Sequence, residues 1–175
     1  MKEALVVLLL LPIASFGQKI YVKDSNVTFF SDALVEDISA STTKSSGVIE
    51  LSRAEFAFSV PIKEFQFEKS LMREHFNEKY METEKFPDAT FTGKIINFDP
   101  DAESQSVHAE GKLTIHGVSR QVQIPASLNK EEKGYRVNAK FMVKLADYKI
   151  KIPQLLFQNI AEEIEVTVDF NLTPR

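Results

Sequence analysis

The sequence predicts an all-β domain of about eight antiparallel strands with one main short helix, on three observations. Beyond Gln18 the apolar residues recur mostly with a period of two, turn-forming residues separate the runs, and one stretch, Ser70 to Tyr80, changes to a helical period. A period of two places alternate side chains on opposite faces, so each run is a strand with one face to bury.

The runs can be read in chain order. Phe29 belongs to the first strands. Phe56, Phe58, Val60 and Ile62 alternate with Ala57, Ser59 and Pro61, and Phe91 continues the inward set after the helical stretch. Val107, Ala109, Gly111, Leu113 and Ile115 then share a face, which puts His108 and His116 on the other. Val122 and Ile124 follow. Tyr135, Val137, Ala139, Phe141, Val143 and Leu145 form the next set, and Ile164, Val166, Val168, Phe170 and Leu172 the last. Asp99-Pro100-Asp101, His116-Gly117 and Asn129 to Gly134 carry turn chemistry, and such short connections give hairpins and hence antiparallel pairing. The Ser and Thr cluster from Ala40 to Gly47 reads as a solvated loop. Strands of this kind hide their apolar faces either in a sandwich or in a closed barrel, and composition alone does not choose.

In the helical stretch, Leu71, Met72, His75, Phe76 and Tyr80 fall at i, i+3 and i+4 spacing, Ser70 is placed to cap the start, and Pro87 forbids helix beyond Phe86. A face of about three turns is marginal in water and must dock on the sheet. It either plugs a barrel end or packs outside a sandwich.

Residues 1–17, MKEALVVLLLLPIASFG, read as a signal peptide: Lys2 precedes an apolar run from Ala4 to Leu11, and Ser15 and Gly17 give small residues at a cleavage site near Gly17/Gln18. The apolar run is about half the roughly 20 residues of a membrane span, so no transmembrane span is expected in the mature protein. The mature domain is then residues 18–175, and its expected location is periplasmic or secreted. The absence of cysteine fits an exported bacterial product held by packing alone, to which the Phe residues, 14 in the full sequence with Phe16 in the leader, contribute. Lys2 and Glu3 leave together, so the formal charge of −4 is unchanged by cleavage. Acids outnumber bases and the signs are interspersed, which argues against nucleic acid as a partner. The sequence leaves the oligomeric state, monomer or homodimer, open.

Arg73 to Phe76, Met81 to Phe91 (METEKFPDATF) and Gly111 to Arg120 (GKLTIHGVSR) resemble the signature blocks of the YceI-like domain family. The resemblance covers essentially the whole mature chain. It implies a lipocalin-like extended antiparallel β-barrel with a tunnel for a long-chain lipid, isoprenoid or other amphiphile. The tunnel walls would come from Phe29, Phe56, Phe58 and Phe91; from Met72, Phe76 and Tyr80 on the helix; and from Leu113, Ile115, Val122, Ile124, Phe141, Val143, Val168 and Phe170. The same residues serve equally as ordinary core, because tunnel and core share one period. His116 and Arg120 flank a tight hairpin, where they either hold a ligand's head group or pair with neighbouring protein groups.

No enzyme is expected. Gly-x-Ser-x-Gly, phosphate-loop and dinucleotide patterns are missing, and with six glycines there is little material for a phosphate cradle. His75, His108 and His116 are not held together by local sequence, so no metal site, cofactor or catalytic set is expected. A ligand-free envelope interaction module is the alternative to a lipid carrier.

Overall fold

The computed structural model describes residues 18–32, 37–152 and 161–175; the expected signal peptide lies outside them. Among the described residues ten strands form one antiparallel sheet: β1 (Lys19–Ser31), β2 (Ile38–Thr42), β3 (Ser46–Glu50), β4 (Glu55–Pro61), β5 (Gln66–Phe67), β6 (Asp88–Ile96), β7 (Ser104–Ile115), β8 (Val118–Glu131), β9 (Gly134–Lys144) and β10 (Glu163–Thr173). The order β10-β9-β8-β7-β6-β4-β3-β1 is closed by pairing of β1 with β10, so eight strands make a closed barrel. Closure answers the alternative left by periodicity. It gives each strand of the ring a neighbour on both sides and gives every apolar face one shared interior.

The stretch Ala40 to Gly47, expected as a solvated loop, is mostly strand. Val27 faces Thr42 and Tyr21 faces Val48, so β2 and β3 run along β1 in one unbroken register as two halves of a single strand. Where the ladder lapses, hydroxyls replace it: the Ser45 amide donates to Ser25 Oγ at 3.2 Å and the Lys44 amide to Thr42 Oγ1 at 3.2 Å. Ala40 and Thr42 are buried. Short polar side chains favour loops when their hydroxyls compete for backbone groups, but here those hydroxyls repair a sheet.

The barrel forks at its helical end. β4 pairs with β6 as far as Pro61 and Asp88. A 3₁₀ turn, Ile62–Glu64, then leads the chain into β5, which pairs with β2 instead. The helix α1 (Ser70–His75) and one π-turn, Phe76–Tyr80, connect β5 to β6 across this fork. The π-turn closes with the Met81 amide on the Phe76 carbonyl at 2.8 Å, and the Thr83 amide on the Asn77 carbonyl at 2.9 Å ends the segment. Two local expectations change. Ser70 is the first helical residue, with Lys69 in the cap position. Leu71 is 60% exposed rather than part of the docked face, because so short a helix turns only Met72 and Phe76 inward.

The opposite end is packed about its axis by buried aliphatic side chains. Ile20 pairs with Ile49 there, and Leu128 and Leu172 are likewise almost wholly removed from water. Tyr135 helps to seal this end by donating its hydroxyl to the Pro100 carbonyl at 3.3 Å. The space inside the barrel therefore lies towards the helix.

Candidate functional site

An internal cavity of about 230 Å³ occupies the helical half of the barrel. Two groups of rings shape it. Phe29 from β1 stacks on Phe76 of the π-turn with centroids 5.3 Å apart, and Phe65 and Phe67 pack on the same two rings at 4.9 to 6.0 Å. Across the barrel Phe58 lies 5.1 Å from Phe170, and Phe91 lies beside them. Aliphatic side chains of β7 to β10 complete the wall.

Among the described residues no polar atom faces the cavity. Ser31, Thr90 and Tyr80 are the hydroxyl-bearing residues of the lining, and they present carbon. The Ser31 hydroxyl is occupied, accepting from the Ala161 amide at 2.9 Å. Burial pushes the Tyr80 phenol pKa upward, so this ring stays neutral. Among the described residues no acid or base contributes to the lining. Among the described residues no group of His, Cys, Asp or Glu is arranged to hold a metal ion.

Of the residues expected to form a tunnel, Phe29, Phe58, Met72, Phe76, Tyr80 and Phe91 border the cavity. So do Leu113, Ile115, Ile124, Phe141, Val143, Val168 and Phe170. Phe56 does not. It packs on Phe91 and Phe58, at 4.7 and 5.5 Å, and those two rings face the space instead. Val122 is half-buried against the core without reaching the cavity.

His116 and Arg120 also lie outside the lining, and their partners are protein groups. The His116 ring has Nε2 3.2 Å from Glu82 Oε2 and Nδ1 3.2 Å from the Tyr148 carbonyl, with its side chain 11% exposed. Arg120 donates from Nε to the Asp147 carbonyl at 3.0 Å. Both residues fasten the chain to itself, the pairing with neighbouring protein groups that was one of the two roles their hairpin position allowed. The lining residues missed by periodicity include Phe65, Phe67, Met81 and Ile150. They sit in or beside turns, where no alternation marks an inward side chain. Phe65 and Phe67 do carry a two-residue spacing, the one signal that could have found them.

The spacing of the two signature blocks has a tertiary cause. His116 and Gly117 have φ of 50° and 71°, as a tight hairpin with two left-handed residues requires. Phe86 packs edge-on against His116 at 4.6 Å, and a Cβ on Gly117 would come within 2.5 Å of the same ring. Glu82, from the same block as Phe86, reaches the His116 ring. Lys85 and His116 both hydrogen-bond the Glu82 carboxylate and hold its pKa below the usual carboxylate range.

A closed eight-stranded antiparallel barrel with a helix-capped apolar cavity is the lipocalin-like architecture. Within that class, the chain belongs to the YceI-like domain family, whose pattern matches residues 19–172. Three solved structures share the fold. A polyisoprenoid binding domain from Saccharophagus degradans, implicated in plant cell wall breakdown, superposes with a TM-score of 0.76 at 16% identity, over 89% of this chain and 98% of that one. BcnA of Burkholderia cenocepacia gives 0.70 at 15% identity, over 83% and 94%. The YceI protein of Campylobacter jejuni gives 0.58 at 16% identity, over 100% and 91%. No curated protein matches the sequence.

Proposed function

We propose that the protein is a carrier that holds the hydrocarbon part of a long-chain lipid, isoprenoid-like in character, inside its barrel. The observation that carries this reading is the cavity wall, whose described residues offer carbon and no hydrogen-bonding atom. Each methylene moved there from water gains about 0.8 kcal/mol, whereas an amide or hydroxyl buried without a partner costs roughly 2 kcal/mol or more. The wall therefore selects for an unbroken apolar chain and leaves any polar head at the mouth. The polyisoprenoid binding domain with the same fold supports the choice of ligand class. Binding rather than catalysis is the proposed role, since the cavity lining presents no nucleophile, acid or base.

The test is native mass spectrometry of the purified protein, followed by solvent extraction and identification of what is released. A retained apolar lipid is the expected result. Protein that is empty and does not take up neutral long-chain probes would leave a ligand-free envelope module as the better account.

Export belongs to the same proposal. The support is the hydrophobic leader in the sequence and a family match that starts at residue 19, beyond it. N-terminal analysis of the exported protein should find a new end near Gln18. Retention of Met1 in the cytosol would overturn the location.

A further inference from the structure

A molecule inside a closed barrel needs a way in, and most of this wall is laced by ladder hydrogen bonds. One seam is not. β8 and β9 pair from Glu131 and Gly134 up to Ala126 and Ala139, and no ladder pair joins them beyond that point, although β8 extends back to Val118 and β9 on to Lys144. On its other sides each strand stays paired: β8 with β7 to the hairpin, and β9 with β10 to Lys144. Pro125, which has no amide to donate, stands where the pairing stops. Ile124 on one bank and Phe141 and Val143 on the other all line the cavity, so the unlaced stretch lies directly over it.

The seam is capped by the 3₁₀ turn Leu145–Tyr148, which touches both β8 and β9. One side of this turn is anchored: the Leu145 amide donates to the Glu162 carbonyl at 2.9 Å, continuing the β9–β10 edge. On the β8 side, the side chains of His116 and Arg120 reach across to it. His116 Nδ1 meets the Tyr148 carbonyl, and Arg120 Nε donates to the Asp147 carbonyl, with the Arg120 guanidinium also 3.9 Å from the Asp147 carboxylate. Immediately after the turn Lys149 has a φ of 57°, and the Ile150 amide returns to the Leu145 carbonyl at 3.1 Å, so the turn is a closed local unit able to move as one piece. Leu145 and Ile150 present its apolar underside to the cavity.

We infer that the β8–β9 seam is the portal of the cavity and that the turn Leu145–Tyr148 is its door, hinged on β10 and latched to the β7–β8 hairpin by His116 and Arg120. This rests on the carrier reading above. At the helical fork the Phe29, Phe65, Phe67 and Phe76 rings pack on one another, and at the far end Ile20, Ile49, Leu128 and Leu172 are buried. Opening the door breaks side-chain contacts while leaving the strand ladders intact.

The test uses the full protein and two variants, His116→Asn and Arg120→Ala. Asparagine tolerates the left-handed conformation and makes Asn-Gly, a favoured hairpin turn, so the first variant keeps the hairpin while removing the reach to Tyr148. Hydrogen exchange in the ligand-free protein is read first. The amides of Leu145, Lys149 and Ile150 should exchange about tenfold faster in each variant, with those in the middle of β6 and β7 unchanged. Uptake and release of methyl cis-parinarate, a neutral linear fluorescent probe, are read second. Both rates should rise several-fold with affinity changed less than about twofold, because a door alters the barrier and not the bound state. Unchanged exchange in the turn overturns the latch whatever the probe does. Faster exchange with unchanged probe rates overturns the portal and sends the ligand elsewhere. Faster exchange in a protein that never binds the probe overturns the carrier reading and the portal with it, but leaves the latch.

Discussion

Gly117 shows how narrowly one residue can be specified. Its φ of 71° is costly for any side chain, and the Phe86 ring fills the place of a Cβ. Gly117→Ala should lower stability by about 1–3 kcal/mol through strain and collision together. Chemical denaturation would measure it, and a midpoint unchanged from the parent would mean that the ring moves aside freely. Phe76 poses a different question, whether a ring at the cavity wall is core or binding surface. In a rigid core Phe→Ala costs roughly 3–5 kcal/mol, but beside an existing space the loss should be nearer about 2 kcal/mol. The same variant should bind a long-chain probe more weakly, since a wall contact has gone. A large stability loss with unchanged affinity would assign Phe76 to the core alone.

Among the elements, the segment from Ser70 to Phe86 is the one the barrel depends on for closure of its fork. Its exit is tied down by Glu82, whose carboxylate accepts first from Lys85 and then from His116. Because the folded pKa of Glu82 is depressed, its stabilisation is fully present above the ordinary carboxylate value of 4.5 and fades as pH falls through the lowered folded value. The parent and Glu82→Gln should therefore differ in thermal midpoint at neutral pH and converge in acid. A difference that stays constant down to the acid limit would show that the charge of Glu82 plays no part. The π-turn, Phe76–Tyr80, belongs to the same element, and it places Tyr80 and Met81 on the cavity where an α-helix would have carried them past.

At the scale of the whole molecule, a cavity without polar or charged lining has a thermodynamic signature. Binding of a neutral long-chain probe should show a negative heat-capacity change. Its affinity should shift less than about twofold between low and high salt, because no charge within the lining is there to be screened. Titration calorimetry at several temperatures and salt concentrations measures both. A steep loss of affinity with salt would mean that ion pairing at the mouth, not the apolar chain, holds the ligand.

What the sequence determined by itself was the set of one-sided strands, the place of the helix and most of the inward residues, because a period of two or of 3.6 is a local property that survives in any tertiary context. Phe58, Phe91, Leu113, Phe141 and Phe170 were legible for that reason. Barrel closure was beyond periodicity, which is the same in a sandwich; the resemblance to a known family pointed to the barrel, and the pairing of β1 with β10 decides it. The Ser and Thr stretch hid a strand, because hydroxyls that favour loops in isolation can mend a ladder once a neighbouring strand is beside them. Phe56 and Val122 share the period of the wall residues but do not reach the cavity, since alternation gives the face of a side chain and not the layer it fills. His116 and Arg120 could not be placed from their hairpin alone. Their partners, Glu82 and the turn Leu145–Tyr148, come from distant parts of the chain, and only the folding of those segments onto one end of the barrel turns two surface-like residues into fastenings.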